Sequence, residues 1–348
     1  MKTFKFGIIG AGEISSQTAA AIAAIPGCEI RVVMDKNPEA AADLAGRYKA
    51  SHTANLEDVT GDSLIDAVYI ATPHFLHADH ACLAAAAGKH VFIEKPIAVS
   101  NDDALRIVRT CREKGVACAT MFVNRWSGHA ELARRLVQSG AIGNPITITY
   151  TYLQDRRETY FSRGVSGKAR PTDWRGSRQK AGGGNLIMNG SHHIDLLMWM
   201  TGLNPIRATG EMGTFVHPVE VEDMLCATLR FNNGAIASLS TGTAAIGKGS
   251  TLFTLFGDKG QIDIPDFWAP AVKLFTIASG TGYATEQWHT LAVDISLNVR
   301  QAMIQESVSA IQNGKPLPSD GEAGRRCQQV INAIYESCLT NKAVDIAF

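Results

Sequence analysis

Three groups of residues in this chain have the types and spacing for chemistry. The first is Gly10-Ala11-Gly12-Glu13-Ile14-Ser15, which follows a short apolar run and matches G-x-G-x-x-[GA] except at Ser15. The first glycine permits a tight turn, and the second lets backbone approach a diphosphate. The helix that the motif opens then offers free N–H groups and a partial positive charge. Asp35 closes the next strand-like segment, 25 residues after Gly10. A carboxylate there accepts hydrogen bonds from adenosine ribose hydroxyls and repels a 2′-phosphate, so NAD is favoured over NADP. Lys36, a neighbouring cation, works against that preference.

The second group is Glu94-Lys95-Pro96, just past the strand-like Val91–Ile93. Ligands of open α/β sheets bind at this carboxyl edge. A buried lysine beside a positively charged nicotinamide ring has a lowered pKa and can take a hydroxyl proton while hydride leaves the substrate carbon. The alternative is a surface pair between Glu94 and Lys95. The third group is His192, His193 and Asp195, at the start of a predicted helix over Ile194–Met200. An H-x-x-D spacing puts two side chains on one helical face, but no fitting Cys or Glu stands nearby, so a catalytic His192 is favoured and no metal is expected. His74, His77 and His80, spaced by three, read as one polar edge of a helix rather than a ligand row.

The elements that must position these groups fall into two patterns. Up to about residue 120, strand-like and helix-like segments alternate. The strands are Phe4–Gly10, Glu29–Met34, Ala67–Ile70, Val91–Ile93 and Val116–Thr120, and the helices are Ile14–Ala24, Pro38–Tyr48, Ala78–Ala87 and Asn101–Lys114. That rhythm predicts a doubly wound parallel sheet, a Rossmann domain over 1–122. Beyond it, strand candidates follow with few helices between them: Thr147–Tyr152, Met224–Phe231, Ile236–Thr241, Leu252–Phe256 and Val272–Ile277. Asn232-Asn233-Gly234 is a hairpin signal between two of these strands, and Arg300–Gln312 and Arg325–Thr340 are helical. The expectation for 123–348 is an α+β substrate-binding and oligomerisation domain with a large open, mostly antiparallel sheet.

The 348 residues carry 33 Lys+Arg against 33 Asp+Glu, a formal net charge of zero. No global field draws the chain to nucleic acid or an anionic membrane. No run approaches the roughly 20 apolar residues that span a bilayer. The start lacks a signal-peptide core, and seven cysteines without a C-x-x-C pair suit reduced thiols, so a cytoplasmic protein is expected.

Taken together, the motifs resemble the Gfo/Idh/MocA oxidoreductase family. The matching pieces are Gly7-Ile8-Ile9-Gly10-Ala11-Gly12, Ala71-Thr72-Pro73-His74, Gly88-Lys89-His90-Val91 and Glu94-Lys95-Pro96. They continue through Ser139-Gly140-Ala141-Ile142-Gly143, Trp174-Arg175, Gly182-Gly183-Gly184 and Gly190-Ser191-His192-His193-Ile194-Asp195, in family order over nearly the whole chain. The resemblance implies an NAD-dependent dehydrogenase acting on a CH–OH group of a sugar, polyol or sugar acid, assembled as a homodimer or homotetramer through the C-terminal sheet. By position, it makes Lys95 the active-site lysine and His192 the catalytic histidine. Gly10, Ala11, Gly12, Glu13, Ile14, Asp35, Ala71, Thr72, Pro73, His77, Glu94, Lys95, Trp174 and Arg175 are expected to hold the cofactor. Arg125, Asn189 and His193 are expected to join Lys95 and His192 in contacting substrate.

One departure stands out. Many inositol and sugar dehydrogenases of this family carry Asp four residues before the catalytic histidine, and this chain has Met188. Methionine relays no proton. Two alternatives therefore stay open: a glycosidase that uses NAD for transient oxidation, and a dinucleotide-binding sensor without turnover. The 156–180 stretch holds eight cations against two anions. It reads as a long loop that either attracts an acidic ligand or is simply solvated or paired with a neighbouring subunit.

Overall fold

The computed structural model describes residues 3–167, 169–247, 249–266 and 269–348. They divide into two compact units, the first comprising 1–122, 159–182 and 298–328, the second 123–158, 183–297 and 329–348. A change of unit follows residue 122, as a two-domain reading expects, but two later segments return to the first unit. Specific bonds hold those returns. The Glu13 carboxylate accepts the backbone N–H groups of Val165 and Ser166, each at 2.9 Å. The Ser319 hydroxyl donates to the Thr120 carbonyl at 2.8 Å, and Thr120 N–H donates back to the Ser319 carbonyl at 3.1 Å.

In the first unit, six described strands form a parallel sheet in the order β3-β2-β1-β4-β5-β6. These are β1 (Phe4–Ile9), β2 (Cys28–Met34), β3 (Ser51–Thr53), β4 (Ala67–Ile70), β5 (His90–Ile93) and β6 (Cys118–Thr120). The central strand β4 and the Val91–Ile93 part of β5 are unbroken apolar runs, as befits strands buried on both faces. Ile8, Ile9, Val33, Ile70 and Ile93 are fully buried, each worth about 1.5–3 kcal/mol against exposure. The strand order reverses between β1 and β4, and the crevice at such a switch point is where the carboxyl ends of the strands present their loops. Gly10 follows β1, Asp35 follows β2, Ala71 follows β4 and Glu94-Lys95 follows β5. The helix Pro38–Gly46 shows why the sequence folds as it does locally. Pro38 occupies its first turn, and the Asn37 side chain caps it by accepting from Ala40 N–H at 3.1 Å.

In the second unit, nine described strands form one sheet, β14-β13-β12-β11-β7-β10-β9-β8-β15. They are β7 (Pro145–Leu153), β8 (Pro205–Gly213), β9 (Met224–Phe231), β10 (Ile236–Gly242), β11 (Ser250–Gly257), β12 (Gly260–Ile264), β13 (Ala271–Thr276), β14 (Gln287–Ala292) and β15 (Val344–Asp345). The β10–β7 pair is parallel and the other pairs are antiparallel. β9 alternates buried Leu225, Ala227, Leu229 and Phe231 with exposed or half-buried neighbours, the pattern of a sheet covered on one face. Asn232-Asn233-Gly234 makes the hairpin into β10, with Gly234 at φ +88°. The helix Ser191–Thr201 packs against the helix Gly128–Gln138. Among the described residues no helix is long and apolar enough to cross a membrane.

The 156–180 stretch is not one long loop. Short helices form at Thr159–Arg163 and Arg178–Ala181. Several of its cations are paired: Arg157 with Asp155, Arg170 with Glu39 and Lys180 with Asp173. Lys168 lies outside the described residues.

Candidate active site

The glycine turn has the shape a dinucleotide requires. Gly10 adopts φ +96°, and a Cβ there would sit 2.7 Å from the Ala71 carbonyl oxygen, so the first glycine serves close approach of two strand ends. A Cβ on Gly12 would meet nothing within 4 Å. Gly12 also caps the helix Glu13–Ala23 without any side-chain bond, leaving that helix N-terminus for a ligand. Ser15, the departure from the motif, donates its hydroxyl to the Gly10 carbonyl at 2.6 Å, so it locks the turn from inside. Asp35 Oδ2 accepts Ala11 N–H at 2.7 Å and Oδ1 accepts Asn37 N–H at 2.8 Å. This carboxylate stands against the glycine turn. The open space over Gly12, the uncapped helix end and the carboxylate together fit NAD.

Other expected cofactor residues lie on the same unit in differing roles. His77 is almost fully buried; its Nδ1 and Nε2 face the carbonyls of Pro96 at 2.8 Å and Thr72 at 3.0 Å. Burial lowers its pKa, and a neutral ring donates only one of those bonds. His77 is thus a staple between the β4 and β5 loops. His74 Nδ1 bonds the Ala181 carbonyl at 2.9 Å, and its ring meets Trp174 edge-on at 4.5 Å. The Arg175 guanidinium covers the Trp174 ring at 4.5 Å. Thr72 and Pro73, which expose part of their surface, sit on the loop that His77 ties down.

Lys95 is partly buried at the end of β5. Its pKa falls to about 8, first because burial disfavours the charge, with Arg300 and Arg175 adding repulsion against the opposing pull of Glu94. Glu94 itself is buried and lies in a network that spacing alone does not reveal. Its Oε1 accepts from Arg300 Nη1 at 2.5 Å and from the Tyr69 hydroxyl at 2.8 Å. Arg300 Nη1 also donates to Thr18 Oγ1 at 3.0 Å. Burial pushes the Glu94 carboxyl up, but Arg300 and Lys95 outweigh it and hold the pKa low.

The second unit builds the histidine segment. Leu186–Gly190 is a π-helical turn leading into the helix Ser191–Thr201, a local widening often found at functional sites. Glu222 fixes its start: its carboxylate accepts Gly184 N–H at 2.6 Å, Leu186 N–H at 3.0 Å and the Tyr335 hydroxyl at 2.8 Å. Asn189 donates to Asn185 Oδ1 at 2.6 Å, and Asn185 donates to Thr241 Oγ1 at 2.5 Å. Met188 is buried, 4% exposed, so a thioether fills the position four residues before His192. His192 is partly exposed and His193 is buried. The His193 ring stacks on Tyr150 at 4.6 Å and lies 4.8 Å from Tyr152.

Arg125 and Asp195 form a buried pair, Nε to Oδ2 at 2.8 Å and Nη2 to Oδ1 at 2.5 Å. The Arg125 guanidinium, expected on substrate, thereby ties down the helix that carries His192 through Asp195. Sequence reasoning missed Arg300, Tyr69, Glu222 and Tyr335. Their partners lie 206, 25, 36–38 and 113 residues away, beyond any local pattern. Among the described residues no cluster of three or more His, Cys, Asp or Glu is arranged to hold a metal.

Residues 4–122 match the Gfo/Idh/MocA model described as an oxidoreductase family with an NAD-binding Rossmann fold, and residues 130–263 match the Gfo/Idh/MocA C-terminal domain. A levoglucosan dehydrogenase from Pseudarthrobacter phenanthrenivorans is 29% identical over 75% of this chain and 73% of its own. An inositol 2-dehydrogenase from Rhizobium meliloti is 24% identical over 99% of this chain and 100% of its own. Among solved structures, a levoglucosan dehydrogenase in complex with NADH superposes with a TM-score of 0.89 at 24% identity, covering 99% of both chains. The chain belongs to the Gfo/Idh/MocA oxidoreductase family.

Proposed function

We propose that this protein is an NAD-dependent dehydrogenase that oxidises a secondary alcohol of a sugar, polyol or sugar acid. One observation carries the reading: a single sheet edge presents the open glycine turn after β1, a carboxylate bonded to that turn after β2 and a lysine of lowered pKa after β5. Bound NAD supplies the hydride acceptor. The chain's own residues bind, orient and move the proton. The N–H groups at the start of the helix Glu13–Ala23 receive diphosphate. Asp35 receives the ribose hydroxyls and disfavours a 2′-phosphate, which supports NAD over NADP. Lys95, neutral at mildly alkaline pH, accepts the hydroxyl proton as the carbon is oxidised. The family resemblance supports His192 as a proton-handling side chain, with Asn189 and His193 as sugar contacts. Met188 narrows the substrate toward alcohols that need no third proton-relay group.

The direct test is incubation with NAD and a panel including levoglucosan, myo-inositol, aldoses and sugar acids, following reduced cofactor by absorbance. Turnover that Lys95→Met removes is the expected result. Turnover undiminished in Lys95→Met, or hydrolysis without net reduction, overturns it. We further propose a cytoplasmic homodimer or homotetramer assembled through the second sheet. One of its faces carries small residues such as Thr149, Thr151, Cys226, Thr228, Ser238 and Ser240, which line an open concavity that self-association would fill. Light scattering that returns a monomer at micromolar concentration refutes that assembly.

A further inference from the structure

Lys95 has an anionic neighbour in sequence, Glu94, and a lysine next to a buried carboxylate ordinarily holds its proton tightly. The arrangement around Glu94 counters this. Its Oε1 accepts from Arg300 of the helix Val299–Gln312 and from Tyr69 of β4, and Thr18 of the helix Glu13–Ala23 bonds both of those side chains. Arg300 is 12% exposed and Glu94 7%, so their pair is screened little by water. The Thr18 and Tyr69 hydroxyls complete the hydrogen bonding, the condition under which a buried ion pair is tolerated.

We propose that Arg300 is a positioning residue for the proton-handling lysine: it engages the buried Glu94 carboxylate, so that this charge is compensated by the guanidinium rather than by the Lys95 ammonium. The inference rests on the role given to Lys95 above. The groups that face Lys95 are consistent with it. Glu94 is the anion on its own segment. Arg300 and Arg175 oppose its protonation from two other segments, His74 lies close enough to feel its charge, and Cys327 approaches from the last helix. Arg300 acts in two ways at once, by direct repulsion and by compensating Glu94.

The arrangement makes the two members of one ion pair shift Lys95 in opposite directions, which a merely structural pair does not do. Arg300→Gln leaves Glu94 to Lys95, so the lysine holds its proton to a pH about one unit higher. Glu94→Gln removes the attraction and keeps the repulsion, so the midpoint falls by about one unit. Arg300→Lys retains the charge and restores the wild-type midpoint. Tyr69→Phe, which nearly conserves volume, moves it upward by a smaller step and serves if the charge variants fold poorly.

The readout is competitive labelling of the full-length protein with trace acetic anhydride across roughly pH 6 to 11, with acetylation of the Lys95 peptide measured by mass spectrometry. It needs no substrate, so it separates this inference from the functional reading. Opposite shifts for Arg300→Gln and Glu94→Gln, with restoration in Arg300→Lys, establish the role. Midpoints that stay together, or move the same way, overturn it even if Lys95→Met abolishes turnover. Conversely, opposite shifts with full turnover in Lys95→Met refute the catalytic assignment and leave the electrostatic one standing.

Discussion

Arg125 grips Asp195 through two hydrogen bonds, Nε to Oδ2 at 2.8 Å and Nη2 to Oδ1 at 2.5 Å, in a site where Asp195 is 1% exposed. Burial drives the Asp195 pKa up, and Arg125 works against that rise. Removing one partner strands a buried charge. Arg125→Ala is expected to cost about 3–5 kcal/mol of stability, read from urea unfolding. Arg125→Lys recovers only part of it, because an ammonium lacks the planar fork that meets both carboxylate oxygens. A loss below about 1 kcal/mol, the range of an exposed pair, contradicts this account.

The two motif glycines separate stability from binding. Gly10→Ala forces a side chain into a φ of +96° and against the Ala71 carbonyl, so the protein is expected to melt earlier. Gly12 has an ordinary φ of −76° and free space around a would-be Cβ. Gly12→Ala therefore folds normally but fills the diphosphate's place. NAD affinity by calorimetry should fall about tenfold or more, equivalent to at least ~1.4 kcal/mol. Unchanged affinity removes the cradle assignment.

The proposed preference for NAD over NADP rests on the charge of Asp35. Asp35→Ala is expected to lower the NAD-to-NADP ratio of kcat/KM about tenfold or more, since a like-charge clash costs several kcal/mol. Steady-state kinetics with both cofactors decide it, and an unaltered ratio locates selectivity elsewhere.

The Lys95 pKa of about 8 gives a pH profile with a definite sign. Alcohol oxidation needs the neutral amine, so its rate should fall tenfold per unit below about pH 8 and level above it. Carbonyl reduction needs the ammonium and should fall on the alkaline side. Stability follows the same group. The unfolded lysine keeps its proton up to 10.5 and the folded one only to about 8, so stability rises with pH between those values and gains nothing below them. A profile of oxidation that is flat from pH 6 to 9, on a scale of about tenfold per unit, argues against Lys95 as the base.

Much of the first unit was legible because its strands are continuous apolar runs punctuated by glycine, as in Ala67–Ile70 and Val91–Ile93. The chemistry-bearing loops follow those strands in sequence, so Gly10, Asp35 and Lys95 were legible with them. β8 escaped because Pro205–Gly213 buries only Pro205 and Ala208 and shows no alternation. β3 is three residues long with two exposed, too short for periodicity. Met188 marked a departure, but nothing near it signals the π-turn or the Glu222 carboxylate that fixes it. Ser15 looked like a mild defect, yet its hydroxyl satisfies the Gly10 carbonyl. The pairings that set the electrostatics, Arg125–Asp195 and Arg300–Glu94, join residues 70 and 206 apart. Only the tertiary fold brings such charges together.

The return of 298–328 to the first unit has a consequence for biosynthesis. While the ribosome has released only the first 122 residues, the nascent nucleotide-binding half lacks the guanidinium that neutralises Glu94 and the Ser319 bonds that close the β6 edge. That half reaches its final form only once residue 328 has been added, and chains that stop before residue 300 carry the Glu94 carboxylate without its guanidinium partner.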